Sequence, residues 1–169
     1  MIAEAFVLLV FPLILAVAAG WDIASFTIPN SIPAALIGSF LVFGIATAMP
    51  LGAAGGHLLA GAIGLVIGFT LFAIGYVGGG DAKLFAATAL WMGMSDLIVY
   101  ALVATALGGA LTILLMTARK LPLPAFLAGE GWLVRLHDAS SGIPYGVALA
   151  AGAMIILPQT EIFRLATVQ

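Results

Sequence analysis

The stretch "YVGGGDAKLFA", residues 76–86, decides how this chain is read. Three glycines run directly into Asp81, and Lys83 follows two positions later. Elsewhere the chain avoids charge: of 169 residues, seven are Asp or Glu and five are Lys or Arg. Hydrophobic residues make up 64% of it, and the mean hydropathy is +1.28. A soluble domain carries about 25% charged residues, against 7% here. The composition is that of an integral membrane protein, with an acid set behind its most flexible backbone.

A transmembrane helix needs roughly 17–25 mostly apolar residues. Five windows meet that requirement, at about 2–20, 32–50, 57–77, 97–117 and 142–158. A sixth, at about 82–95, is short; to serve it must borrow from the glycines, tilt, or turn back. Period-2 alternation is missing, which argues against a β-barrel. The expected fold is an all-α bundle of about six transmembrane helices in a single domain, 1–169. Small residues recur at spacing four, as Gly56, Ala60, Gly64 and Gly68 and again as Gly142, Gly146 and Ala150. In lipid such stripes let helix backbones approach closely, so these residues are read as packing.

Several classes fall away. A secretory leader needs a basic start, and the first Lys or Arg is Lys83. A net charge of −2 with no basic patch argues against nucleic acid as a partner; the lipid bilayer is the expected surrounding. The absence of Cys excludes disulfides and thiolate-bound zinc. His57 and His137 have no ligand spacing, so neither a metal nor another cofactor is expected.

The acids carry the argument forward. Asp22 closes the first span and Asp81 opens the fourth. Two complete spans separate them, so both emerge on one side. If 82–95 crosses, Glu130 and Asp138 join that side, while Glu4, Asp96 and Glu161 fall opposite. Lys83, Arg119, Lys120 and Arg135 share the side of the aspartates, and only Arg164 lies across. Positive residues stay in the cytoplasm, which places the aspartates near the cytoplasmic face.

A charge at bilayer depth costs at least ~2.5–3.5 kcal/mol, so such acids are candidates for function. An ordinary helix end would also explain them, since acids favour a helix N-terminus. The glycines weigh against that. Gly78, Gly79 and Gly80 supply unusual backbone angles and close approach, where a cap needs one residue at most. They allow an extended segment to lie against another chain with the acid beside it. If the spans bring Asp22 to Asp81, the pair suits aspartic-protease chemistry. One carboxylate activates water while its protonated neighbour polarises the scissile carbonyl. The titration belongs to the pair.

Here the residues carry a resemblance. "GGGDAKL" (78–84) resembles the Gly-x-Gly-Asp motif of the type IV prepilin peptidases, with glycines at Gly78 and Gly80 and the acid at Asp81. "WDIASFTIPN" (21–30) is similar to that family's segment in which an acid precedes Ile-Pro-Asn, which maps the first acid onto Asp22. "GIPYGVAL" (142–149) resembles its Pro-Tyr-Gly opening of the last span. The resemblance implies about six helices, catalytic Asp22 and Asp81, and a prepilin substrate. It implies a multi-pass protein of the inner membrane that cleaves at the cytoplasmic face, after a small residue and just before the pilin's hydrophobic segment. Family members that also methylate the new N-terminus have an added N-terminal region, often with Cys pairs. This chain resembles the short form serving Flp or tight-adherence pili, with no methylation expected. Its "IASFT" (23–27) lacks the Arg or Lys that the family often places there.

Other residues near the motifs are assigned more modestly. Lys83 is expected to snorkel to the interface rather than act as a base. Asn30 is placed to cap the second span, or to contact a substrate backbone. "HDASSG" (137–142) holds His, Asp and Ser, but a triad is assembled from distant residues; Asp138, Ser140 or Ser141 is expected to cap the last span. Rival functions are a proton- or ion-coupled transporter and a non-catalytic assembly subunit. No second copy of "GGGD" or "IPN" marks the internal repeat that transporters often show.

Overall fold

The computed structural model describes residues 2–124, 126 and 129–167, and no strand occurs among them. Helix α1 spans Ala3–Ser25. In its early π-helical turn, Phe6–Val10, Phe11 N–H reaches back to Phe6 O just ahead of Pro12, which has no N–H to add to the ladder. Helix α2 is Ser31–Ala46, α3 is Leu51–Ala73 and α4 is Gly79–Ala118. Two more follow, a short α5 at Gly131–His137 and α6 at Tyr145–Ile156. A 3-10 turn, Leu157–Gln159, then leads to α7, Glu161–Thr167.

Among the described residues, α1, α3 and α4 are long and apolar enough to cross a membrane; α6 and α7 reach that length and apolarity only when taken together, and they are bent by 55° to one another. Helix α2 is apolar but shorter. Helix α4 is not one rod. Drawn straight it would run ~60 Å, and Phe85 would stand ~22 Å from Tyr100. Their rings instead stack with centroids 5.5 Å apart. The chain therefore doubles back at Gly93, whose φ of 72° and ψ of 175° suit glycine alone. Counting both arms, 79–92 and 94–118, the apolar rods number six. The short window at 82–95 thus resolves as the first arm: it takes in Gly79 and Gly80 and turns back at Gly93.

The turn is fixed from α3. The buried His57 ring lies where a side chain at Gly93 would be, and its Nδ1–H donates to Leu90 O at 2.8 Å. That satisfies a carbonyl at the end of the first arm, where the helical ladder stops. Further along the same seam, Gly61 meets Leu90, Gly64 meets Ala86 and Ala89, and Gly68 meets Ala82, all too closely for an added methyl to fit in place. Of the small-residue stripe, Gly64 and Gly68 pack helices as expected, whereas Gly56 and Gly142 face open space.

The core sits at the Gly93 end. Trp91 is buried among Phe11, Phe40 and Phe43, with ring centroids 4.7, 5.7 and 5.6 Å away. Its Nε1–H donates to Leu36 O at 2.9 Å. Aromatic pairs of this kind contribute about 0.5–1.5 kcal/mol each beyond burial. They tie α1 and α2 to the first arm of α4, whose other end carries Asp81 in its first turn.

Candidate active site

Asp22 lies in the last turn of α1. The helix stops at Phe26, which takes a left-handed φ of 53° and donates its N–H to Asp22 O at 2.8 Å. From there the chain passes through Ile28-Pro29-Asn30 into α2. Ile28 is buried, and it touches both other parts of the site. A Cβ at Gly80 would stand 3.0–3.2 Å from the Cβ, N and O of Ile28, and a Cβ at Gly146 would stand 2.7 Å from Ile28 Cδ1. The Ile-Pro-Asn segment thus wedges α1 against the starts of α4 and α6.

Asp81 is the third residue of α4, and its Oδ2 accepts from Gly78 N–H at 3.3 Å. Its Oδ1 is buried with no hydrogen-bond partner among the described residues. Asp22, also buried, accepts at Oδ2 from Gly146 N–H at 2.7 Å, and its carboxyl lies within electrostatic reach of Asp81. The same Gly146 N–H stands beside Asp81. Both acids line one cavity of about 650 Å³, walled by Phe26, Tyr76, Gly78, Thr112 and Tyr145. Tyr145 gets its place from Gly108 on the second arm of α4, where any Cβ would enter its ring.

Two arginines brace this end. Arg119 donates to the carbonyls of Leu136, Ser141 and Gly142 at 2.9–3.1 Å, holding the approach to α6. Arg135 donates to Ala24 O at 2.6 Å, two residues past Asp22. The basic residues therefore gather at the aspartate end, as charge parity predicts.

Some expected roles change. Gly78, Gly79 and Gly80 take no positive φ; among the described glycines only Gly75 and Gly93 do. Gly80 is needed for close approach, and the chain lying on it is the protein's own Ile28. Asn30 stands at the start of α2 but makes no capping bond. Its Oδ1 instead accepts from Lys83 Nζ at 2.8 Å, so Lys83 ties α4 to α2. The pair borders a separate apolar groove with Pro33, Leu58 and Leu90, not the acid cavity. Asp138 does not cap the last span: its Oδ1 accepts from Ser140 N–H and Oγ–H, both at 2.8 Å, and Pro144 occupies the N-cap of α6 without any side-chain cap. Those bonds hold the exposed Asp138 carboxyl below the usual carboxylate range.

Gly146 is the residue that reading for packing missed. Spacing marked it as one of a stripe of small residues, yet its N–H serves the acids and its bare Cα leaves room for Asp22 Oδ2, which a Cβ would meet at 2.8 Å. The signal was the Pro-Tyr-Gly run itself, in which Tyr145 walls the cavity and Gly146 donates into it.

No curated protein and no solved structure matched the chain. The model of the type IV leader peptidase family matches residues 9–113, a stretch that holds both aspartates and more than half of the sequence, so the chain belongs to that family.

Proposed function

We propose that this leader peptidase removes the leader from prepilins of the Flp type at the cytoplasmic face of the inner membrane, with Asp22 and Asp81 as its paired catalytic carboxyls. One observation carries the reading: a buried and a half-buried acid from separate helices line one cavity, with a backbone N–H beside both. In the reaction, the pair holds one proton. The ionised carboxyl takes a proton from water as it attacks the scissile carbonyl. The protonated one donates to the carbonyl oxygen, and collapse of the tetrahedral intermediate passes a proton to the leaving amine. The titration belongs to the pair, and neither acid alone is assigned base or acid.

The clustering of Lys83, Arg119 and Arg135 at the aspartate end supports a cytoplasmic placement. Methyl transfer is not assigned, since the sequence contains no Cys pair of the kind that accompanies it. Co-expression with a short prepilin that carries Gly before an apolar run is the test. A shift of the pilin to its mature size, lost with Asp22→Asn and with Asp81→Asn, is expected. A pilin that stays full length beside the wild-type protein overturns the reading.

A further inference from the structure

Next to the acid cavity lies a second chamber of different chemistry. It has a volume of about 120 Å³ and is lined by Ile67, Leu71, Phe85, Ala101, Thr105 and Leu149, with Asp81 as its only charged residue. The two chambers share Val77, Asp81 and Tyr145, so they meet at the carboxyl of Asp81. Phe85 is one helical turn, ~6 Å, further into the bundle than Asp81. On its outer side the chamber is rimmed by residues that face out of the bundle: Ile67 is 42% exposed, Leu71 is 37% exposed, and Thr105 opposite them is also exposed. In a membrane, that rim opens toward hydrocarbon, between α3 and the second arm of α4.

Resting on the prepilin peptidase reading above, we infer that this chamber is the subsite for the apolar side chain immediately after the scissile bond. The occupant follows from three features. A peptide cut at the edge of a transmembrane segment is polar on one side of the bond and apolar on the other. The cavity shared by the acids has polar groups and the adjoining chamber is apolar, so only one direction of threading matches both. The apolar half of such a substrate reaches the site from the bilayer, and the chamber has its rim there. The volume sets the size limit: an enclosed apolar cavity of roughly 150 Å³ takes a benzene-sized group, so about 120 Å³ takes an aliphatic side chain whole, and a single ring only with its edge standing in the open rim. Ala101, half-buried on the second arm of α4, leaves that space; a larger residue there fills it from the wall.

The experiment uses the full chain in detergent with three synthetic prepilin peptides, identical except for Ala, Leu or Phe after the scissile bond. The readout is kcat/KM for each. One methylene in an apolar pocket discriminates by roughly 10–200-fold. Ala101→Leu is expected to lower the ratio of Phe-peptide to Ala-peptide cleavage at least tenfold against wild type. Thr105→Leu, at the exposed rim and away from tight packing, is expected to shift the same ratio in the same direction and keeps the test usable if Ala101→Leu fails to fold. A ratio unchanged in the folded variants overturns the subsite while leaving the peptidase reading intact. So does a lipid acyl chain found to occupy the chamber with peptide bound. A wild-type protein that cleaves none of the three peptides overturns both.

Discussion

Replacing Gly146 by Ala adds one methyl group at the point where α6 faces the acids. That methyl would stand 2.8 Å from Asp22 Oδ2 and 2.7 Å from Ile28 Cδ1, where ordinary contact begins at 3.4 Å. Both neighbours are the outer atoms of side chains, so they yield and the helix stays. The Asp22 carboxyl must retreat by about 0.6 Å, the gap between those two distances. A misplacement of 1 Å in a reacting group costs about 10²-fold, so the expected loss in single-turnover cleavage is roughly tenfold or somewhat more. Stability should change little. Overpacking costs about 1–3 kcal/mol, and Ala regains up to about 1 kcal/mol over Gly within a helix.

The control is Gly64→Ala. Its added methyl meets Ala89 Cβ at 2.8 Å and Ala86 Cα at 3.3 Å, an overlap of the same depth against atoms fixed to backbone. Gly64 borders neither of the two chambers at Asp81. This variant should lose more thermal stability than Gly146→Ala and much less activity. The assay is single-turnover cleavage of a synthetic prepilin in detergent, alongside thermal unfolding of each variant. Cleavage by Gly146→Ala within twofold of wild type refutes the reasoning. An equal loss of cleavage in Gly64→Ala refutes it too, because packing alone would then explain both.

Further outcomes follow from the same geometry. Asp22→Asn and Asp81→Asn should each abolish pilin processing with the protein still inserted in the membrane, while Asp138→Asn, bonded only to its neighbour Ser140, should keep substantial activity; pilin size on a gel reads all three. Gly80→Val should lower cleavage and thermal stability together, because its side chain displaces Ile28, and a folded, fully active variant would show that the wedge has no role in setting Asp22. Dialysis against EDTA should leave cleavage of a synthetic prepilin unchanged, since two carboxyls sharing a proton already supply base and acid; loss restored by one divalent ion would recast Asp22 and Asp81 as ligands.

Membrane character, helical class and most rod positions were legible because hydropathy reports burial in lipid directly. The acids were legible because a charge at that depth stands out against its surroundings. What the sequence hid was contact. Nothing local marks Gly93 as a reversal, since its role depends on the His57 ring arriving from α3 and on Phe85 meeting Tyr100. Gly80 and Gly146 looked like flexibility and packing, and each proved to be a seat for Ile28. Asn30 was assigned to the nearest helix end because capping is a local rule, but Lys83, 53 positions away, takes its side-chain oxygen. Local rules fail where a distant group competes for the same atom.

Asp81 shows why the helix-end explanation and the catalytic one are compatible. Its Oδ2 accepts from Gly78 N–H and so starts α4, while its buried Oδ1 has no hydrogen-bond partner among the described residues. On the proposed mechanism, one carboxyl serves structure through Oδ2 and leaves Oδ1 for chemistry. That division decides which substitution is informative. Ala removes both oxygens, and with them a helix-start bond worth about 1 kcal/mol, so lost cleavage would be confounded with lost structure. Asn keeps an acceptor for Gly78 N–H while its other oxygen becomes an NH2 and the ability to ionise is lost. Cleavage lost in Asp81→Asn at an unchanged unfolding temperature therefore assigns the loss to chemistry. Cleavage retained in Asn and lost in Ala would reduce Asp81 to a cap.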